Sequence, residues 1–205
     1  MEKILVIKIG SSVLLTKRHE FDQFRIRHLA QQIIALKQKG FAVVLVTSGA
    51  VGHGSRIINL NKDTSYKRQA AAGIGQIHLM SMFANVFRAI DEEVAQVLIT
   101  KHGLHSKKEH IKKLLLFYLS KNIIPVVNEN DVIELNGFGG NDLLAAEIAR
   151  LLDAESLYIL STMQGSIHGV GGGHTKEEAI NLLKERNIGT VIVDGKKKGV
   201  LLEAI

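Results

Sequence analysis

Apolar residues recur along the chain in two patterns, short continuous runs and longer helical repeats. Six runs have the length of a β-strand and are apolar nearly throughout: residues 4–9, 42–46, 94–99, 123–127, 156–160 and 190–193. Continuous apolar runs, as opposed to alternating ones, are typical of parallel strands that are covered on both faces. We therefore expect these six strands to form a buried sheet.

Helical patterns separate the runs. Residues 22–39 place apolar side chains on one face, with Asp22 at the N-cap position and Gly40 after the last turn. Ser106 and Thr175 are each followed three residues later by a glutamate, the spacing of a capping box, which predicts two further helix starts. Strands that alternate with helices predict an α/β fold, a three-layer αβα sandwich with a mostly parallel central sheet.

Length and composition narrow the class of protein. A chain of 205 residues with 46% hydrophobic residues can bury one core, so we expect one domain over residues 1–205. No apolar run reaches the roughly 18 residues that span a bilayer, and we expect no membrane partner. Met1 leads directly into a strand-like run, without the pattern of a cleaved leader. The lack of cysteine excludes disulfides and fits the cytoplasm.

The charge balance favours anionic ligands without naming one. The formal net charge is +6, which suits nucleotides, acidic metabolites or nucleic acid. Aromatic residues make up 5% of the chain and do not interleave with basic ones, so we expect no nucleic acid partner. The nine histidines lack the helical spacing of a zinc site, and we interpret them as surface residues, with no metal site in the protein.

Glycine-bearing segments follow three of the predicted strands, at residues 10–12, 48–54 and 169–173. In doubly wound sheets, ligands bind beyond the carboxyl ends of the strands. Lys8 interrupts the first apolar run, and an unpaired lysine is costly to bury. Its side chain either reaches solvent at the end of the strand or points into a polar site, where N–H groups of the following loop can hold phosphate oxygens.

Polar residues follow two further strands. Residues 46–52 end a strand in small residues that offer N–H and hydroxyl donors to a carboxylate, although a simple tight turn explains them as well. Asn128 to Asp131 and residues 138–142 supply carboxylates and amides at the next strand end. Asn141 is also placed to cap a helix over residues 143–152.

A glycine run at residues 171–173 opens onto a helix with Lys176 in its first turn. A positive charge there opposes the helix dipole, and a bound anion removes that penalty. Two lysines that approach a transferred phosphoryl group from opposite sides, held by an aspartate, neutralise charge in the transition state. Lys8, Lys176 and Asp142 are the candidates for this catalytic trio.

With these motifs in place, the chain resembles the glutamate 5-kinases of the amino acid kinase family. Five blocks carry the resemblance in the right order: residues 8–14, 46–50, 67–76, 96–100 and 124–131. The resemblance implies the amino acid kinase fold, ATP and Mg²⁺ as cofactors, glutamate as substrate and a homo-oligomer. It also implies that Lys8 and Lys176 contact phosphates and that Asp142 organises them.

The same resemblance assigns the binding residues. It implies substrate contacts at Ser48, Gly49, Ala50, Asp131 and Asn141. It implies nucleotide contacts at Lys8, Gly10, Ser11, Ser161, Thr162, Gly172, Gly173 and Lys176.

Two departures from the family pattern leave alternatives open. The acidic triplet Asp-Asn-Asp of the family reads Gly140-Asn141-Asp142, and only a short segment separates Thr162 from the glycine run. The leading hypothesis is a compact, active glutamate 5-kinase. The alternatives are a catalytically impaired relative that binds an amino acid or nucleotide as a sensor or partner subunit, and a sibling kinase that acts on another acid.

Overall fold

The six predicted strands form one parallel sheet in the computed structural model, which describes residues 3–59, 64–162 and 173–205. They are β1 (Lys3–Ile9), β2 (Phe41–Val46), β3 (Val94–Ile99), β4 (Ile124–Glu129), β5 (Ser156–Ser161) and β6 (Gly189–Asp194). The strand order is β3-β4-β2-β1-β5-β6, and every neighbouring pair is parallel. The predicted α/β class is confirmed.

Helices cover both faces of this sheet. The described helices are α1 (Ser11–Leu14), α2 (Gln23–Gln38), α3 (Ala50–Ile57), α4 (Ser65–Arg88), α5 (Lys101–Ser106), α6 (Lys108–Ser120), α7 (Asn141–Leu151), α8 (Gly173–Lys184) and α9 (Val200–Ala204). Side chains of α2, α4 and α9 pack in one apolar cluster with Leu5 and Ile7. Side chains of α6, α7 and α8 pack in a second cluster with Val6 and Val44. The three-layer αβα arrangement is therefore confirmed, and one domain over residues 1–205 stays a prediction.

The edge strands are less covered than the sequence predicts. All residues of β4 are buried, whereas Gln96 and Leu98 of β3 are exposed and only Val97 and Ile99 of that strand are buried. In β6, Ile192 is 46% exposed. An edge strand has a neighbour on one side only and lies beyond the helices that cover the centre of the sheet. The prediction of two covered faces is wrong for β3 and β6 for this reason.

Asp22 and the two capping boxes predict three N-cap residues, and the structure agrees with one of them. Asp22 accepts a hydrogen bond from the N–H of Arg25 at 3.1 Å, which confirms it as the N-cap of α2. Ser106 instead ends α5, and its hydroxyl donates to a carbonyl of its own helix. Thr175 lies inside α8, which begins at Gly173. Helices α6 and α8 cover the predicted segments, so the helices are confirmed, but Ser106 and Thr175 are wrong as N-cap residues.

Helices α3 and α4 approach each other closely at two glycines. A Cβ atom at Gly54 would lie 1.9 Å from the carbonyl oxygen of Ala71, and one at Gly75 would lie 1.8 Å from that of Ala50. No side chain fits at either position unless the helices separate. The contact holds the start of α3, which follows β2, against α4.

The 24-residue helix α4 is long and apolar enough to cross a membrane by length and composition. Half of its most apolar 18-residue window is buried inside the protein. Leu79, Phe83 and Phe87 lie in the apolar cluster on its side of the sheet. We therefore describe α4 as a core helix.

Candidate active site at the carboxyl edge of the sheet

A cavity of about 860 Å³ lies at the carboxyl ends of the strands. Its walls come from the ends of β1, β2, β4 and β5 and from the starts of α3, α7 and α8. The volume falls in the range of small-molecule sites, and the position is where open parallel sheets bind ligands.

Strand alternation decides where Lys8 points. Its neighbours Ile7 and Ile9 belong to the cluster on the α2 side, whereas Val6 belongs to the cluster on the α7 side. Because successive side chains of a strand alternate between faces, Lys8 lies on the α7 side. Its amine thereby meets Asp142 in the first turn of α7.

Asp142 bridges two lysines. One of its carboxylate oxygens, Oδ1, lies 2.6 Å from Lys8 Nζ, and the other, Oδ2, lies 2.9 Å from Lys176 Nζ. The hydroxyl of Thr175 donates to Oδ2 at 3.4 Å. The side chains of Lys8, Lys176 and Asp142 are 9%, 10% and 2% exposed. The structure thus brings together the trio that the sequence predicts, with one lysine from β1 and the other from α8.

The charges of this trio are strongly coupled. Burial lowers the pKa of Lys8, and the ion pair with Asp142 only partly opposes that shift. Burial alone would raise the pKa of Asp142, but the two lysines outweigh it and hold the pKa below its usual value. With both lysines protonated, the trio carries one net positive charge, which a bound anion can neutralise.

A network of neutral amides lies beside the charged trio. The Asn141 amide donates to the carbonyl of Thr47 at 2.6 Å, to Asn128 Oδ1 at 2.9 Å and to the hydroxyl of Ser48 at 3.2 Å. Asn128 donates in turn to Gln76 at 2.8 Å. Within the described residues, the buried Asn141 Oδ1 has no hydrogen-bond partner. Asn141 therefore has one buried acceptor without a hydrogen bond in the described structure.

The predicted cap role of Asn141 is wrong. The N-cap position of α7 is Gly140, and Asn141 is the first helical residue, with its side chain turned into the amide network. The backbone of Gly140 has φ 144° and ψ 153°, a region that is almost restricted to glycine. The backbone conformation at the start of α7 therefore requires a glycine at position 140.

Two carboxylates at the end of β4 hold the segment that leads to α7. Glu129 accepts a hydrogen bond from the N–H of Phe138 at 2.9 Å, and burial raises its pKa to about 7. Asp131 accepts from the N–H of Asn136 at 3.0 Å. Burial raises the pKa of Asp131, while the Asn136 N–H and the positive charge of Arg68 oppose the shift.

The outer wall of the cavity comes partly from the segment between α1 and α2, which the sequence patterns do not indicate. Arg56 of α3 pairs with Glu20 at 2.7 Å, and His53 Nδ1 donates to the carbonyl of His19 at 2.9 Å. His53 is buried, so the prediction that the histidines lie on the surface is wrong there. In the described parts of the chain, no cluster of histidine and acidic side chains is arranged to hold a metal ion.

Most of the predicted site residues meet in this one cavity. The residues that line it include Lys8, Gly10, Ser11, Ser48, Gly49, Ala50, Asp131, Asn141, Asp142, Ser161 and Lys176. Thr162 follows Ser161 without lining the cavity, Gly173 begins α8, and Gly172 lies outside the described residues. Arg56 and Arg68 also line it, although no local pattern in the sequence distinguishes them from surface arginines.

Comparison with known proteins gives consistent results. The amino acid kinase family model matches residues 3–195. A glutamate 5-kinase of Clostridium acetobutylicum is 34% identical over 233 aligned positions, which cover 95% of this chain and 87% of that protein. Glutamate 5-kinase 2 of Bacillus licheniformis is 37% identical over 167 positions, which cover 78% of this chain and 45% of that protein. This chain therefore spans less than half of the Bacillus relative.

A solved structure shares the fold of this chain, and the length of the Clostridium alignment shows that the chain is shorter than its relative within the matched region. UMP kinase from Ureaplasma parvum superimposes with a TM-score of 0.68 at 17% identity, covering 100% of this chain and 95% of that one, which shows a shared fold. The 233 positions aligned with the Clostridium protein exceed the 205 residues here, so that relative carries residues within the matched region that this chain lacks. The family match over residues 3–195 and the extent of the Clostridium alignment show that this chain belongs to the amino acid kinase family.

Proposed function

We propose that the protein phosphorylates the γ-carboxylate of glutamate with ATP, giving glutamyl 5-phosphate and ADP, the first step of proline biosynthesis. The buried pairing of Lys8 and Lys176 through Asp142 is the observation that carries this proposal. The names of the relatives, which are glutamate 5-kinases, support the choice of substrate.

The charged trio suits transfer of a phosphoryl group to a carboxylate. The two lysines approach the carboxylate of Asp142 from different elements, β1 and α8, so a transferred group beside them meets positive charge from two directions. Because a carboxylate is already ionised at neutral pH, it attacks phosphorus without a general base. Positioning and charge neutralisation then supply most of the rate enhancement.

The amide network suits the acceptor. Ser48, Gly49 and Ala50 offer a hydroxyl and backbone N–H groups, and they line the cavity together with Asn141. Asp131 lies in the same cavity and supplies a carboxylate for an ammonium group. We assign substrate binding to these five residues.

Nucleotide binding is assigned to the charged end of the cavity. Gly10, Ser11 and Ser161 lie there beside Lys8 and Lys176. The proposed contacts of Thr162, Gly172 and Gly173 come from the family resemblance alone. We therefore expect the phosphates of ATP, more than its base, to account for recognition by the described residues.

Magnesium fits this site as a companion of ATP. Asp142 is already paired with two lysines, and no acidic cluster of the described chain forms a metal cage. Mg²⁺ commonly keeps several waters and binds through substrate phosphates, with few protein ligands. When bound, it would withdraw charge from the phosphates. The hydroxyls of Ser11 and Ser161, which line the same cavity, would hold the hydrated ion.

A catalytically impaired relative is the second candidate. Gly140 stands where the family pattern has an acid, and the chain lacks residues that the Clostridium relative carries. A binding-only protein would keep an affinity for glutamate or nucleotide without turnover.

The two candidates separate in a coupled ADP-release assay with ATP, Mg²⁺ and glutamate, run beside Lys8→Ala. Turnover that requires glutamate and disappears in the variant supports the kinase. Absence of turnover in a folded preparation, together with a rise in melting temperature on adding glutamate or ATP, supports the binding-only protein.

We also propose that the chain forms a homo-oligomer in the cytoplasm. Ile77 of α4 is 72% exposed and Ile133 is 70% exposed, and Val132 next to Ile133 is 45% exposed. Gln69 of α4 donates to the carbonyl of Val132, and the Val132 side chain lies beside Gly73, one turn before Ile77. Sedimentation of the wild type and Ile77→Asp tests the oligomer, and a monomeric wild type contradicts it.

A further inference from the structure

The cavity has a second charged region, away from the lysine trio. Arg68 of α4 and Asp131, which follows β4, both line the cavity. The positive charge of Arg68 acts on the Asp131 carboxylate and opposes the rise in its pKa that burial causes. A guanidinium and a carboxylate that interact electrostatically therefore both line the proposed acceptor site.

The chain holds these two groups at one junction. Gln69, next to Arg68, donates from its side-chain amide to the carbonyl of Val132 at 3.1 Å, and Val132 is next to Asp131. The Asp131 carboxylate accepts the N–H of Asn136 at 3.0 Å, which restricts its orientation. The first turns of α4 and the segment after β4 therefore position Arg68 and Asp131 together.

The other cations of the cavity have different partners. Lys8 and Lys176 pair with Asp142, and Arg56 pairs with Glu20 on the outer wall. Arg68 interacts electrostatically with Asp131, the residue that we assign to binding of the substrate. This distinguishes it from Arg56, although both are arginines that line the same cavity.

An α-amino acid carries an ammonium and a carboxylate on one carbon atom, so a neighbouring acid and base can hold both groups. A guanidinium binds a carboxylate through two parallel hydrogen bonds, which a lysine cannot reproduce. We propose that Arg68 binds the α-carboxylate of the substrate while Asp131 takes the α-ammonium, and that Arg68 thereby selects amino acids over simple carboxylic acids. This inference rests on the proposed function, because it concerns the acceptor of the same reaction.

Truncated substrates test the assignment. 4-Aminobutyrate lacks the α-carboxylate of glutamate and glutarate lacks the α-ammonium, yet both retain a carboxylate that can be phosphorylated. In the wild type, kcat/KM for glutamate should exceed that for 4-aminobutyrate by about 100-fold or more, as expected when a truncated substrate loses the charge-assisted hydrogen bonds of its α-carboxylate. Arg68→Ala should lower the value for glutamate at least tenfold and leave that for 4-aminobutyrate nearly unchanged.

Matched variants complete the design. Arg68→Lys should recover only part of the preference, because a point charge replaces a bidentate fork. Arg56→Ala should change kcat/KM for both substrates by one common factor and so preserve their ratio. Asp131→Asn should instead reduce the preference for glutamate over glutarate. Arg68→Gln, which keeps the length of the side chain, replaces Arg68→Ala if the latter fails to fold.

A purely structural role for Arg68 predicts a different result. If the Arg68 variant loses glutamate and 4-aminobutyrate activity by the same factor, the residue only supports the loop and the inference is overturned. If the wild type shows no turnover, the proposed function fails, and calorimetric binding of glutamate and 4-aminobutyrate to the wild type and Arg68→Ala tests Arg68 alone. Equal wild-type affinity for the two ligands, or no binding of either, overturns the inference.

Discussion

The two halves of the cavity are held together by different forces. At one end, Asp142 pairs with Lys8 and Lys176 within 3 Å in a buried, charged trio. At the other, Asn141 and Asn128 connect the ends of β2 and β4 with α4 and α7 through neutral hydrogen bonds. The charged trio depends on ionisation, whereas the amide network does not.

This difference matches what each half has to bind. Phosphoryl groups carry several negative charges, and buried lysines neutralise them strongly because water does not screen the interaction. A single carboxylate that must be oriented needs fixed donors more than net charge. We therefore expect loss of a charge in the trio to reduce catalysis strongly. Loss of a hydrogen bond in the amide network should weaken substrate binding by a smaller factor.

Removing the central charge should have the largest effect. Asp142→Asn keeps the size of the side chain but leaves two lysines without their carboxylate, so we expect kcat to fall by about 100-fold to 1,000-fold. Steady-state kinetics with varied glutamate should show little change in its KM. A change confined to KM would contradict the division into two halves.

The carboxylate of Glu129, next to Asn128 at the end of β4, should make the stability of the protein depend on pH. The pKa of Glu129 is about 7 in the folded protein, above its unfolded value of 4.5, so the folded state binds more protons between these values. The wild type should therefore lose up to about 3 kcal/mol of stability as pH rises from 4.5 through 7. Urea unfolding of the wild type and Glu129→Gln measures this, and the variant should lack the decrease. If the free energy of unfolding depends on pH in the same way in both proteins, Glu129 is not the cause of the pH dependence.

The backbone conformation of Gly140, which lies between the trio and the amide network, should disfavour the aspartate that the family has at this position. Gly140→Asp places a side chain at φ 144°, and we expect it to lower the free energy of unfolding by about 2 kcal/mol. Thermal denaturation beside Gly139→Ala, another positive-φ position in the same segment, tests whether the effect is specific. If Gly140→Asp is more stable and more active than the wild type, the backbone at position 140 can adopt a conformation that accepts aspartate, which contradicts the prediction.

The smallest effect is expected from the amide half itself. Asn141→Ala removes the donor to the carbonyl of Thr47 and to Asn128 Oδ1, which keeps only the bond from the N–H of Glu129, so we expect stability to fall by about 1 kcal/mol. Its KM for glutamate should rise about tenfold, with a smaller change in kcat. If kcat falls as far as in Asp142→Asn, the two halves act as one unit.

Local patterns predicted the framework well. The six apolar runs became the six described strands, and Asp22 caps α2 as its position indicates. Lys8 interrupts an apolar run, and the structure confirms that it has a buried ionic partner. A burial cost is a local property of the sequence, so it can be recognised before the partner is known.

The failures concern contacts between distant residues. His53 is buried against the segment that carries His19, and Arg68 lies near Asp131 although 63 positions separate them in the sequence. Ser106 and Thr175 have the spacing of helix caps, but the helices around them begin elsewhere. Spacing describes one segment, whereas these outcomes depend on how two segments pack.

The sequence by itself determined the strands, the layered α/β class and the residues that carry charge at the strand ends. The reason is that apolar periodicity and the cost of burying charge act within one segment. Only the tertiary structure decided that Asn141 enters an amide network and that Arg68 lies beside Asp131. Those arrangements depend on the register of parallel strands and the packing of α4 on the sheet, which join parts of the chain that are far apart in sequence.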